Sequence, residues 1–168
     1  MKLVDLGFKG ITCDSKAVKK DFIFVAIKGS FQDGSCFIKE AIASGANYII
    51  MQGKPPAVEI SKNVKFISVT DARKFLGCAC AEFYGYPSQK VQVIGITGTN
   101  GKTTISYLIE AIAAQAKYGC GVIGTISHRF KNKVIIAKNT TPGPGQLQEF
   151  LSKMLAQGIK YCAMEVSS

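Results

Sequence analysis

The chain reads as short apolar blocks of two kinds, runs and periodic stretches, separated by glycine, proline and polar residues. Residues 21–27, Asp-Phe-Ile-Phe-Val-Ala-Ile, form an apolar run rich in strand-forming residues and predict a strand, with Gly29 and Asp33-Gly34 as turn signals after it. Apolar residues at 37, 38, 41 and 42 give residues 37–44 the spacing of a short helix, closed by Gly45. Residues 48–51 and 65–69 predict two more strands on either side of a Pro55-Pro56 loop. Thr70 or Asp71 then caps a helix to about residue 84, where Gly85-Tyr86-Pro87-Ser88 stops it. Beyond that cluster an apolar run from Val91 breaks into small residues and resumes with helical spacing from 105 to about 116. Residues 120–126 predict a strand, 128–133 a polar turn and 134–137 a short strand. A loop rich in proline and glycine, 139–145, precedes a helix over 146–157 with apolar residues at 147, 150, 151, 154 and 155. Gly158 ends that helix, and 161–166 predicts a buried strand.

Strands alternating with helices predict an α/β fold with parallel sheets and ligands at the strand carboxyl ends. The Gly85–Ser88 cluster reads as a linker, giving a small first domain over 1–88 and a second over 89–168. The second stretch stops just past a strand, with fewer strands than a nucleotide-binding α/β domain uses to cover both faces. It therefore reads as the first part of a domain belonging to a longer protein.

Composition narrows the classes. No apolar run approaches the roughly 20 residues of a membrane helix. Residues 1–10 lack the apolar core of a signal peptide, so a cytoplasmic location and no membrane partner are expected. The net charge is +10, but the lysines are scattered, with no interleaved aromatics. This pattern argues against nucleic acid and suits either a solvated surface or attraction of small polyanions such as nucleotides. Six cysteines, at 13, 36, 78, 80, 120 and 162, have no metal-ligand spacing and read as buried, reduced thiols.

The candidate chemistry centres on Thr97-Gly98-Thr99-Asn100-Gly101-Lys102-Thr103-Thr104, between a strand and a helix. A phosphate-binding loop needs glycines that turn backbone N–H groups toward an anion, at a helix start that adds partial positive charge. Lys102 would reach the terminal phosphates and the Thr103 hydroxyl would hold Mg²⁺. The strict G-x-x-x-x-G-K-[ST] spacing fails, since position 96 is Ile96, so a plain glycine-rich strand-to-helix turn also fits. Glu165 is a lone carboxylate at the end of an apolar strand, either a Mg²⁺ ligand or a solvated strand-end glutamate. Asn139, Thr140 and Thr141 place a donor and two hydroxyls on a loop, where they are also ordinary turn residues.

Taken together, the phosphate loop, Asn139-Thr140-Thr141-Pro142 and Met164-Glu165-Val166-Ser167-Ser168 resemble the Mur ligases. So do Asp14-Ser15-Lys16-Ala17-Val18, Phe24-Val25-Ala26-Ile27-Lys28-Gly29 and Asp33-Gly34 upstream. Within the family the likeness is to the branch that adds the third amino acid of the peptidoglycan stem, and it runs the whole length given. It implies a small N-terminal α/β domain for the UDP end of the substrate, followed by the first part of a P-loop-type parallel-sheet ATPase domain. The family's compact phosphate loop accounts for the failed spacing. The family's carbamylated lysine, which supports a second Mg²⁺, and its C-terminal domain are absent from this stretch, so the stretch alone is expected to be inactive.

The resemblance implies ATP and Mg²⁺ as cofactors, with UDP-MurNAc-L-Ala-D-Glu and a free amino acid, meso-diaminopimelate or L-lysine, as substrates. ATP would phosphorylate a carboxylate, and an amine would attack the acyl phosphate. No obligate protein partner is implied. Lys102 and Glu165 become the catalytic candidates, Thr103 and Glu165 the metal ligands, and Gly98, Thr99, Asn100, Gly101, Lys102, Thr103 and Thr104 the ATP site. Asn139, Thr140, Thr141 and Ser167 are implied at the muramoyl-peptide end. Cys13, Ser15, Ser30, Phe31 and Gln32 are implied along the UDP moiety. Lys16 stands where the family usually has arginine, so a bidentate contact there is not implied. His128, the only histidine, matches no family motif and reads as a loop residue. The other readings are a sister ligase, MurF-like or folylpolyglutamate-synthase-like, and a non-catalytic module that holds a nucleotide or UDP-sugar.

Overall fold

The computed structural model describes residues 7–29, 32–55 and 64–167. The chain divides into two α/β units, Met1–Phe83 and Tyr84–Ser168. The expected linker residues Gly85–Ser88 thus lie in the second unit. Pro87–Gln89 form a 3-10 turn there, the Ser88 hydroxyl accepts a hydrogen bond from the Gln148 amide, and Val91 is buried in that unit's core.

In the first unit four parallel strands stand in chain order: β1 (Gly10–Thr12), β2 (Phe22–Ala26), β3 (Ala46–Gln52) and β4 (Lys65–Val69). Alternation along β2 and β3 sorts the core onto two faces, as strand geometry requires. Ile23, Val25 and Ile50 pack with Leu76, Ala79 and Cys80 of α2 (Ala72–Phe83). Phe24, Ala26, Ile49 and Met51 pack with Ile38 and Ala41 of α1 (Ile38–Ala43). Fully burying such a side chain is worth about 1.5–3 kcal/mol, so these near-continuous apolar strands dominate the unit's stability. Asp71 accepts a hydrogen bond from the Lys74 N–H and starts α2. The helix expected over 37–44 is α1, and the 3-10 turn Gly34–Phe37 leads into it. Strand β1, three residues long, was not foreshadowed by any run in the sequence.

The second unit has β5 (Gln92–Ile96), β6 (Cys120–Ile123), β7 (Ser127–Phe130), β8 (Lys133–Ile136) and β9 (Tyr161–Glu165), in the spatial order β5-β9-β6-β7-β8. The first three in that order are parallel, and β6-β7-β8 is antiparallel. Helix α4 (Pro144–Ala156) packs Phe150, Leu151 and Met154 against Ile123, Phe130 and Cys162 on one face. On the other face α3 (Lys102–Gln115) lies over Ile96, Val122 and Ala163 through Ile109. A bidentate pair ties α3 to β7: Arg129 Nε and Nη2 donate to Glu110 at 3.0 and 2.7 Å, with the guanidinium 3.8 Å from the Tyr107 ring centre.

Two expectations are corrected here. The strand expected over 120–126 ends at Ile123, because the chain turns at Gly124-Thr125-Ile126 to place Thr125 against Glu165. The expected polar turn at 128–133 holds most of β7, and His128 is a buried strand residue, 2 % exposed, beside the Phe150 ring. The cysteines also divide. Cys80 and Cys162 are buried and Cys120 half-buried, but Cys13, Cys36 and Cys78 are exposed. Among the described residues no helix is long and apolar enough to cross a membrane.

Candidate functional site

The carboxyl ends of β5 and β9 bring the two strongest motifs together. Ile96, the last residue of β5, pairs with Glu165, the last of β9, so the loop after β5 starts beside Glu165. That loop leads through Gly98, Thr99 and Asn100, all exposed, to Gly101. Gly101 has φ 81°, a left-handed conformation costly for a residue with a Cβ, and directly precedes α3. No side chain caps the first turn of α3, so its backbone donors face whatever approaches the loop. Lys102 is the first helical residue and is half-buried. Its Nζ folds back to donate to the Gly98 carbonyl and, at 3.5 Å, to the Thr99 carbonyl. A phosphate would take over these donors. Thr104 is exposed on the same turn.

Glu165 is 1 % exposed and its carboxylate is held from three sides. Oε2 accepts the Thr103 hydroxyl at 3.0 Å and the Thr125 hydroxyl at 2.9 Å, while Oε1 accepts the Thr125 N–H at 3.3 Å. The solvated strand-end reading of Glu165 is therefore set aside. Among the described residues no lysine or arginine pairs with it, and no three His, Cys, Asp or Glu side chains converge. This donor set fits Mg²⁺, which binds through one or two protein oxygens and takes its other ligands from phosphates and water.

A pocket of about 490 Å³ opens next to this carboxylate, lined by Thr125, Lys138, Asn139, Thr140, Thr141 and Ser167. All four residues expected at the peptide end of the substrate are among its walls. Thr141 also braces the site: its hydroxyl donates to the Glu165 carbonyl at 3.0 Å and accepts the Ser167 N–H at 3.0 Å. The Thr140 and Thr125 hydroxyls lie 3.1 Å apart.

The candidates of the first unit are less gathered. Ser15 is buried at the start of a 3-10 turn that Asp14 caps through the Lys16 N–H, and Cys13 is exposed before it. Gln32 is exposed, and its carbonyl accepts the Gly29 N–H at 2.9 Å. Ser30 and Phe31 lie outside the described residues. A pocket of about 360 Å³ at the carboxyl ends of β2 and β3 is lined by Ala26, Lys28, Asp33, Ser35, Met51, Gln52 and Gly53. Neither Cys13, Ser15 nor Gln32 is among its walls. Asp33 accepts the Ser35 N–H at 2.9 Å, and this bond holds its carboxyl below the ordinary carboxylate range.

Three residues here escaped the sequence reading: Gly124, Thr125 and Lys138. The available signal was Gly-Thr interrupting the apolar run Val122-Ile123-Gly124-Thr125-Ile126 at a strand end. A Cβ on Gly124 would stand 2.2 Å from Glu165 Oε1, so only glycine leaves room for the carboxylate in this seat.

Comparison with known proteins places both units. Residues 7–84 match the family model described as Mur ligase family, catalytic domain, and residues 96–168 match Mur ligase middle domain. A relative from Aquifex aeolicus named UDP-N-acetylmuramoyl-L-alanyl-D-glutamate–2,6-diaminopimelate ligase is 44% identical over 98% of this chain and 34% of its own length. A solved structure of a ligase of that name superposes with a TM-score of 0.75 at 29% identity, over 95% of this chain and 32% of that one. The ADP complex of MurF ligase from Thermotoga maritima gives 0.60 at 25% identity, over 96% and 32%. The chain spans about a third of the length of the relatives it matches.

Proposed function

The chain belongs to the Mur ligase family, and on that premise we propose that the full-length protein is an ATP-dependent amide-forming ligase of peptidoglycan precursor synthesis. It would join an amino acid to UDP-MurNAc-L-Ala-D-Glu. The relatives named above act on 2,6-diaminopimelate by name, which favours meso-diaminopimelate over L-lysine as the amino acid. The observation that carries the reading is the Thr103–Glu165 hydrogen bond, which sets a buried carboxylate against the first turn of the phosphate-loop helix.

The chemistry follows from what a carboxylate lacks. At neutral pH it is a poor electrophile, and phosphorylation by ATP gives it a leaving group. An amine then attacks the acyl phosphate, forming the amide bond as inorganic phosphate leaves. Phosphoryl transfer asks the protein mainly for positioning and charge neutralisation. Lys102 would release the Gly98 and Thr99 carbonyls and donate to the transferring phosphate. The N–H groups of the loop and of the first α3 turn would hold the other phosphate oxygens. Thr103 and Glu165 would hold Mg²⁺, which when bound supplies charge neutralisation between phosphates. Asn139, Thr140, Thr141 and Ser167 would orient the peptide carboxylate, and Lys138 adds positive charge at the same pocket mouth. In the first unit, Ser15, Cys13 and the 30–32 loop would take the UDP end.

The test is a coupled assay of ADP release by the full-length protein. ADP release is expected only when ATP, UDP-MurNAc-L-Ala-D-Glu and diaminopimelate are all present, with the 168-residue chain alone inactive. Release that is indifferent to the UDP-dipeptide, or turnover by the chain alone near that of the full-length protein, would overturn the assignment.

A further inference from the structure

We infer that Thr125 is a positioning residue that aims the Glu165 carboxylate and couples it, through Thr140, to the occupant of the neighbouring pocket. This rests on Glu165 acting as a Mg²⁺ ligand. The seat is built from one short turn. Thr125 grips both carboxylate oxygens, Oε2 with its hydroxyl at 2.9 Å and Oε1 with its N–H at 3.3 Å, and Gly124 leaves the space that Oε1 fills. Among the described residues the only other hydrogen bond to the carboxylate comes from Thr103, on the first turn of α3. Thr125 therefore shares Oε2 with Thr103 and also holds Oε1.

Proton bookkeeping gives the coupling its direction. A threonine hydroxyl has one proton, and that of Thr125 goes to Glu165 Oε2. In the 3.1 Å contact between Thr125 and Thr140, Thr140 is then the donor. The order is Thr140 to Thr125 to Glu165, a chain in which each bond strengthens the next. Thr140 also lines the 490 Å³ pocket with Lys138. An anionic ligand there, such as the substrate carboxylate, competes for the Thr140 proton. When it accepts the Thr140 hydrogen bond in place of Thr125, Thr125 becomes a weaker donor and Oε2 a stronger cation ligand. Filling the pocket thus tightens Mg²⁺ at Glu165, two hydroxyl groups away.

Calorimetry on the full-length protein tests this, using a non-hydrolysable ATP analogue with Mg²⁺ or with EDTA, in the presence and absence of UDP-MurNAc-L-Ala-D-Glu. In the wild type the UDP-dipeptide is expected to tighten Mg²⁺-dependent binding on the order of fivefold or more. Thr125→Val should weaken Mg²⁺-dependent binding roughly 10- to 100-fold, because a carboxylate that is no longer aimed loses more than its freed lone pair gains, leave binding in EDTA unchanged and abolish the coupling. Thr125→Ser should restore both. In Thr140→Val, UDP-dipeptide at concentrations that saturate the variant should no longer tighten Mg²⁺-dependent binding. Thr125→Val that binds and couples as the wild type, or Thr125→Ser as defective as Thr125→Val, would overturn the proposal. If Thr125→Val does not fold, coupling that survives in Thr140→Val overturns it instead. Glu165→Gln separates the two readings. If it loses Mg²⁺-dependent binding while Thr125→Val keeps it, only the role of Thr125 falls. If it binds as the wild type, the metal-ligand reading falls as well.

Discussion

The Thr103 hydroxyl, on the first turn of α3, donates to Glu165 Oε2, at the end of β9, across 3.0 Å. The two residues stand 62 positions apart in the chain and belong to different motifs, so the contact joins the candidate phosphate loop to a carboxylate that neither local pattern pairs with it. Thr103→Val keeps the shape and removes the hydroxyl. One hydrogen bond to a charged group is worth about 1.5–3 kcal/mol, and the variant is expected to lose that much in Mg²⁺-dependent nucleotide affinity. Titration of Mg²⁺ at fixed nucleotide checks it. A variant with the wild-type Mg²⁺ requirement would show that Thr103 is not a ligand.

Lys102 makes its described contacts to carbonyls of its own loop, so its loss opens no core cavity. In the full-length protein Lys102→Ala is expected to leave the melting temperature within a degree or two while activity drops on the order of 100-fold or more, the usual scale for a donor aimed at developing charge. Activity within tenfold of wild type, with unchanged melting, would remove the loop from the ATP site.

His128 supplies a pH dependence of stability. It is buried, its Nδ1 has no hydrogen-bond partner among the described residues, and burial pushes its pKa below the ordinary histidine value. Between the lowered native pKa and about 6.5 the unfolded chain binds more protons than the folded one. Stability contributed by neutral His128 is therefore full above about pH 6.5 and falls as the pH drops through the native pKa. Thermal melts from about pH 7.5 to 5 should show this loss in wild type and a flatter profile in His128→Leu. Parallel profiles for the two would assign the acid sensitivity elsewhere.

The thiols should react in two groups. Cys13, Cys36 and Cys78 are exposed, whereas burial pushes the Cys80 and Cys162 thiols up to about 12. Since the thiolate is the nucleophile, a disulfide reagent at pH 8 should label the first three in the folded protein, Cys13 the slowest of them because burial pushes its thiol up as well, and the last two only on unfolding. Mass spectrometry of quenched time points gives the order. Early labelling of Cys162 would contradict the packing of β9 beneath α4.

The sequence disclosed the parts whose signal is local. β2, β4 and β9 announce themselves as apolar runs, α4 by its apolar spacing, and the phosphate loop by glycines before Lys102. Three residues were too short a run for β1 to show a period. Strand β7 was hidden for another reason: Ser127, His128 and Arg129 are polar in composition, yet Arg129 finds Glu110 on α3 and His128 packs on Phe150, so the segment enters the sheet. Thr125 was invisible because its partner lies 40 residues on. A hydrogen bond across that distance has no periodicity to betray it.

The first turn of α3 is left unfinished by its own chain: Gly101 offers no capping side chain, and Lys102 spends its charge on neighbouring carbonyls. A bound triphosphate would complete that turn, and on the proposed function the nucleotide would then be a structural part of the helix as much as fuel for the reaction. Amide exchange at residues 101–104 should slow when nucleotide binds and quicken as product leaves. Each turnover would then fasten and unfasten the start of a helix, with Thr103 carried along, and the cation site would be fully formed only while there is a phosphate to share.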